Sequence, residues 1–114
     1  MDHMDIANRV ISALYKWDPY IYYHATTGSV YIRFHHWGLG SIRIGDHQGI
    51  KKYRYRWRIR TDFDPNKYKR YIQDGVTVYE FGANNINLLA KVFEEEASRR
   101  GIRPGEIAEW RDVP

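Results

Sequence analysis

The stretch KKYRYRWRIR, residues 51–60, alternates basic and apolar side chains at every position from Lys52 to Arg60. Successive side chains of a β-strand point to opposite faces of its sheet, so this alternation predicts a strand with one apolar and one basic face. The apolar face, predicted to meet a hydrophobic core, consists of Tyr53, Tyr55, Trp57 and Ile59. The basic face, predicted to meet solvent, consists of Lys52, Arg54, Arg56, Arg58 and Arg60.

Other segments of the chain show the same alternation. The predicted strands are SVYIRFHH (29–36), GSIRIGD (40–46), KYRYRWRIR (52–60) and VTVYEF (76–81). The links WGLG (37–40) and DHQG (46–49) contain glycine and have the length of hairpin connections, which favours antiparallel neighbours. The polar segment TDFDPNKYKR (61–70) is predicted to be a loop.

A helix is predicted near each end of the chain. Residues 4–17 form the first, because apolar residues recur at helical spacing up to Trp17 and Asp18-Pro19 then ends the helix. Residues 84–101 form the second, with an asparagine cap and a terminal Gly101. We therefore predict one α+β domain over residues 1–114, a two-layer sandwich in which an antiparallel β-meander of about four strands carries both helices on one face.

Composition limits the classes of function. The chain has 114 residues and no cysteine, which excludes disulfides, thiolate zinc sites and cysteine nucleophiles. No apolar run approaches the roughly 20 residues that a membrane-spanning helix needs, and the acidic start lacks a signal-peptide core. The expected location is therefore the cytoplasm, with no membrane partner. Of the net charge of +4, residues 31–60 carry eight Lys or Arg against Asp46 alone.

This local excess of positive charge predicts an anionic partner. Arginine offers a planar fork that matches phosphates and carboxylates, and aromatic rings nearby can stack on bases. The expected partner is nucleic acid or an acidic protein surface, and a homodimer is compatible with the sequence. The predicted binding residues are Tyr31, Arg33, His35, Arg43, Arg54, Arg56, Arg58 and Arg60.

Catalytic residues are sparse. Asp46 and His47 share a predicted link at the end of the basic strands, where a nuclease could hold a general base. His35 and His36 are adjacent on a strand and point to opposite faces, so they cannot both bind one metal. No metal-binding or cofactor-binding motif is present, and we expect no enzyme activity, no metal and no cofactor.

Residues 28–60 resemble a block found in short proteins of bacteriophages and other mobile elements. The resemblance is carried by Gly28-Ser29, Gly40-Ser41-Ile42-Arg43-Ile44, Asp46-His47 and the alternating Tyr53 and Tyr55. It covers less than a third of the chain and implies a setting, because small phage proteins often bind nucleic acid or inhibit host defence systems such as CRISPR effectors. In that setting the cytoplasm would be that of the host cell.

Three hypotheses of function follow from the sequence. The leading one is a small, basic, non-enzymatic protein whose Arg-rich sheet face contacts the phosphate backbone of nucleic acid with little sequence specificity. The second is a phage-type inhibitor of a host defence system, similar to anti-CRISPR proteins, that docks on an acidic protein surface. The third is a small nuclease that uses Asp46 and His47.

Overall fold

A computed structural model describes residues 3–24, 29–45, 55–60 and 68–109. In these residues two α-helices, two short 3-10 helices and six strands form an α+β fold, which confirms the predicted class. The helices are α1 (His3–Ala13) and α2 (Ile86–Arg99). The strands are β1 (Tyr20–His24), β2 (Val30–Arg33), β3 (Ser41–Ile44), β4 (Tyr55–Arg60), β5 (Tyr68–Gln73) and β6 (Val76–Gly82).

The sheet is mixed, and the predicted antiparallel meander of about four strands is wrong. The strand order is β1-β2-β3-β4-β6-β5, with β4 parallel to both of its neighbours, β3 and β6. The link between β3 and β4 therefore joins parallel strands and is not a hairpin turn. Parallel pairing needs a crossover of about a dozen residues, and β3 and β4 are separated by residues 45–54 and not by DHQG (46–49) alone. Residues 46–54 of that link lie outside the described residues.

The strand β5 occupies part of the segment that was predicted to be a loop, and it forms one edge of the sheet. It pairs with β6 in an unbroken antiparallel register from Tyr68↔Phe81 to Gln73↔Val76. Asp74 and Gly75 join the two strands with positive φ angles of 53° and 76°. Asp-Gly is the dipeptide typical of two-residue hairpin turns, because both positions require positive φ. Local turn chemistry thus creates a hairpin after the polar segment.

The helix α1 is amphipathic, and Ile6, Ala7 and Val10 on one side of it are buried. After the 3-10 turn Tyr15–Trp17, Asp18 adopts a left-handed conformation with φ 53°. The following Pro19 cannot continue a helix, so the chain changes direction and enters β1. The predicted first helix is therefore divided into an α-helix and a 3-10 turn.

Both helices contribute to a single hydrophobic core on one face of the sheet. Trp57 lies at its centre, stacked on Tyr79 with 5.0 Å between ring centroids and 5.1 Å from Phe93 of α2. Its indole Nε1 donates a hydrogen bond to the carbonyl oxygen of Leu39 at 3.2 Å. This confirms that Trp57 is buried, whereas the predictions for Tyr53 and for the side chain of Tyr55 lie outside the described residues.

The segment that follows α2 also contacts the sheet. The segment after α2 returns to the sheet, where Ala108 forms an isolated parallel bridge with His36. Among the described residues, no helix is long and apolar enough to cross a membrane.

Candidate nucleic-acid interface

The central arginines of the basic strand are buried. Arg56 and Arg58 do share the sheet face opposite the helices, but only 2% and 1% of their surfaces are exposed. Arg43 on β3 pairs in register with Arg58 and is 6% exposed. The prediction that these three side chains face solvent is therefore wrong. Tyr71 and Gln73 of β5 contact the guanidinium groups of Arg56 and Arg58 on this face.

The guanidinium of Arg58 lies in a polar network that neutralises its charge. Its Nη1 donates to Oε1 of Glu80 at 2.6 Å and to the hydroxyl oxygen of Tyr71 at 2.6 Å. The hydroxyl of Tyr71 in turn donates to the same carboxylate oxygen at 2.7 Å. Burial and this hydrogen bond to Glu80 raise the pKa of Tyr71 to about 12. The network satisfies a charge that would otherwise be costly to bury.

The other two buried arginines also make internal hydrogen bonds. Nη2 of Arg43 donates to Oγ of Ser29, and Nη2 of Arg56 donates to the carbonyl oxygen of Gln73, both at 3.3 Å. Burial, together with the neighbouring charge of Arg58, lowers the pKa of Arg56 from its ordinary value. These contacts make the arginines part of the folded interior and not of the exposed surface.

Four of the remaining predicted site residues lie wholly or partly outside the described residues. Arg60 ends β4; its side chain, together with Asp46, His47 and Arg54, lies outside the described residues. Within the described part of the chain, no group of three or more His, Asp or Glu side chains is arranged to hold a metal ion.

His35 and His36 lie in different environments. The ring of His35 is exposed and lies 4.8 Å from the ring of Tyr20, centroid to centroid. His36 accepts a hydrogen bond at Nδ1 from the backbone N–H of Gly38, and its Nε2 is 3.9 Å from Oε2 of Glu106. His35, a predicted binding residue, is therefore exposed, whereas His36 is partly buried and hydrogen-bonded.

An aromatic surface that the sequence analysis did not predict lies on the edge strand β1. The register of β1 against β2 shifts between Ile21, which pairs with Ile32, and Tyr23, which pairs with Tyr31. Tyr22 is the extra residue of this bulge. A bulge redirects side chains that strict alternation would place on opposite faces. As a result the consecutive Tyr22 and Tyr23 both contact residues of β2: Tyr22 contacts Arg33, and Tyr23 contacts Tyr31.

Each exposed ring is held by a neighbour. The guanidinium carbon of Arg33 lies 3.6 Å from the centroid of the Tyr22 ring, in cation–π contact. The ring of Tyr23 lies 5.6 Å from that of Tyr31. Half of Tyr22 and 55% of Tyr23 remain exposed. We call the set of Tyr20, Tyr22, Tyr23, Arg33 and His35 the β1 aromatic surface.

Two members of this surface, Arg33 and His35, were predicted as binding residues. Tyr31 was predicted as a binding residue on the solvent face, which is wrong, because it is only 9% exposed and packs against Tyr23. The three tyrosines of β1 were not among the predicted binding residues. The density of aromatic residues in YIYYH (20–24) was the available signal. Nothing in that segment marks the bulge, since it contains no glycine.

Comparison of the chain with protein-family models, with curated proteins and with solved structures finds no match.

Proposed function

We propose that this chain is a small non-enzymatic protein that binds single-stranded nucleic acid through the β1 aromatic surface. The observation that carries the proposal is the stacked pair of Tyr22 and Arg33, in which half of the tyrosine is exposed beside a cation at 3.6 Å. The buried arginines take no part in this contact.

The chemistry of the surface suits an unpaired base. An exposed aromatic ring offers a face on which any base can stack, and such stacking contributes about 1–3 kcal/mol per base. Tyr22 is already ordered by Arg33, so less conformational entropy is lost when a base stacks on it. The adjacent Tyr23 supplies a second exposed ring. Bases inside a duplex are not available for such stacking, which favours single strands.

The charge of the surface is smaller than the sequence suggested. Arg33 is the only permanently charged member of this set, and the charge of the buried Arg58 is paired with Glu80. With contacts to one or two phosphates, the logarithm of the affinity should fall against the logarithm of salt concentration with a slope of about −1. Stacking and phosphate contacts carry little sequence information, so weak sequence preference is expected.

The test is binding of a fluorescein-labelled oligothymidylate, measured by fluorescence anisotropy. Tyr22→Ala should weaken binding by about fivefold or more, since a stacked base contributes at least about 1 kcal/mol. Tyr22→Trp should preserve it, because the indole ring also stacks. Tyr15→Ala is the matched control: Tyr15 is 79% exposed, lies outside the sheet and should leave binding unchanged.

Two outcomes would contradict the proposal. Oligothymidylate binding that is equal in the wild type and in Tyr22→Ala would remove the β1 aromatic surface from the interaction. A loss of the same size in Tyr15→Ala would show that exposed tyrosines bind without a specific surface.

A further inference from the structure

The strand β5 forms the edge of the sheet opposite β1. It pairs with β6 on one side, and no described strand pairs with its other side. Its register against β6 is regular over six residues, without a bulge. A regular edge presents a row of backbone N–H and C=O groups on which an added strand can form a ladder of hydrogen bonds.

The outward residues of β5 on the helix side form an apolar–basic–apolar row. Tyr68, Arg70 and Ile72 occupy alternate positions, and 46% of Tyr68 and 75% of Ile72 are exposed. Tyr68 is stacked on Phe81 at 5.5 Å, and the guanidinium of Arg70 lies 6.0 Å from the ring of Tyr79. The row is therefore held in place on the sheet, although Ile72 has most of its surface in water.

The charge of β5 has one sign. Lys69 and Arg70 are both exposed and lie on opposite faces of the strand. Arg70 lies between Tyr68 and Ile72 on the helix side of the strand, so a partner strand that placed a carboxylate beside Arg70 would complement its charge.

We infer that β5 is a docking edge for an extended acidic segment of a partner protein. The segment would add to the sheet as a further strand, with apolar side chains near Tyr68 and Ile72 and a carboxylate near Arg70. A second copy of β5 fits less well, because it would bring two positively charged strands together. This inference is independent of the proposed nucleic-acid contact. If the partner is an acidic protein, as the second hypothesis from the sequence has it, β5 is the surface that it would contact in place of the buried arginines.

The probe is a fluorescein-labelled synthetic peptide with Val, Glu and Val at alternate positions and Thr between them, long enough to pair along the six residues of β5. One face of this strand can place Glu beside Arg70 and Val beside Tyr68 and Ile72. Its binding is measured by fluorescence anisotropy, beside the same peptide with Lys in place of Glu. We expect the protein to bind the Glu peptide and not the Lys peptide. Arg70→Glu and Ile72→Lys should each weaken binding by about fivefold or more, given cross-strand pair energies near 1 kcal/mol.

Lys91→Glu is the matched control, because it makes the same reversal of charge at an exposed position on α2. Circular dichroism of each variant establishes that the fold is retained. The inference is overturned if Arg70→Glu and Lys91→Glu weaken binding equally, or if both peptides bind alike. It is also overturned if sedimentation velocity shows, without peptide, a dimer that Ile72→Lys abolishes, since β5 would then pair with a second copy.

Discussion

Arg58 shows how a cation can be part of the protein interior. Its side chain and that of Glu80 are 1% and 2% exposed, and Tyr71 contacts both groups. The Coulomb attraction of such a pair mainly offsets the cost of removing two charges from water. The pair therefore adds little net stability compared with apolar residues, yet removing one member leaves the other charged and buried.

This asymmetry predicts the effect of substitutions. Arg58→Met should lower the free energy of unfolding by about 3–5 kcal/mol, because Glu80 loses its counter-charge. The double variant Arg58→Met with Glu80→Met should recover most of that loss, since apolar side chains of similar volume replace the pair. Urea denaturation at neutral pH measures both values.

The matched control is Arg70→Met on the exposed strand β5, which should change the free energy of unfolding by less than about 0.5 kcal/mol. If Arg58→Met were as mild as this control, the guanidinium of Arg58 would not be buried against Glu80.

At the scale of elements, α2 is tied to β6 by a buried carboxylate. The hydroxyl of Tyr79 donates to Oε1 of Glu96 at 2.6 Å, and Arg100 lies 2.9 Å from the other carboxylate oxygen. Arg99 pairs with the same carboxylate. Burial opposes ionisation of Glu96, but the hydrogen bond from Tyr79 and the two arginines outweigh it and lower its pKa from 4.5. Folding therefore favours the ionised form.

The sign of this shift predicts a pH dependence. The stabilisation from ionised Glu96 is fully present above the unfolded pKa, near 4.5, and is lost as the pH falls through the lower folded pKa. The difference in free energy of unfolding between the wild type and Glu96→Gln should thus be constant at neutral pH and shrink below pH 4.5. Thermal or urea unfolding across this range measures it.

Glu95→Gln, next in the helix and exposed, serves as the control and should shift the free energy of unfolding by less than about 0.5 kcal/mol at neutral pH. A difference between wild type and Glu96→Gln that grows in acid would mean that folding favours the neutral carboxyl.

Elements differ in how well their sequences predict them. The second helix and the burial of Trp57 followed from periodicity, because each depends on a pattern within one segment. The bulge that brings Tyr22 and Tyr23 to one face left no such pattern, since it depends on the pairing with β2. The β5–β6 hairpin has a local signal in Asp74-Gly75, but the polar composition of residues 61–70 predicts a loop where β5 begins.

At the scale of the whole molecule, the position of a strand in the sheet decides what its alternation means. The alternation in β4 is compatible with two arrangements. One is a strand whose basic face lies in water, and the other is a central strand whose arginines form hydrogen bonds with other residues of the protein. The partner Glu80 is 22 residues away from Arg58, and only the parallel pairing of β4 with β6 brings them together. Crossover connections set that pairing, so local alternation could not predict that the arginines are buried.

The central claim is that nucleic acid contacts the β1 aromatic surface and not the buried arginines. The most direct measurement is an NMR titration of nitrogen-15-labelled protein with oligothymidylate, observing the arginine side-chain Nε–Hε signals. We predict that the signal of Arg33 shifts during the titration while those of Arg56 and Arg58 stay in place. Shifts of Arg56 and Arg58 with no change at Arg33 would contradict the account.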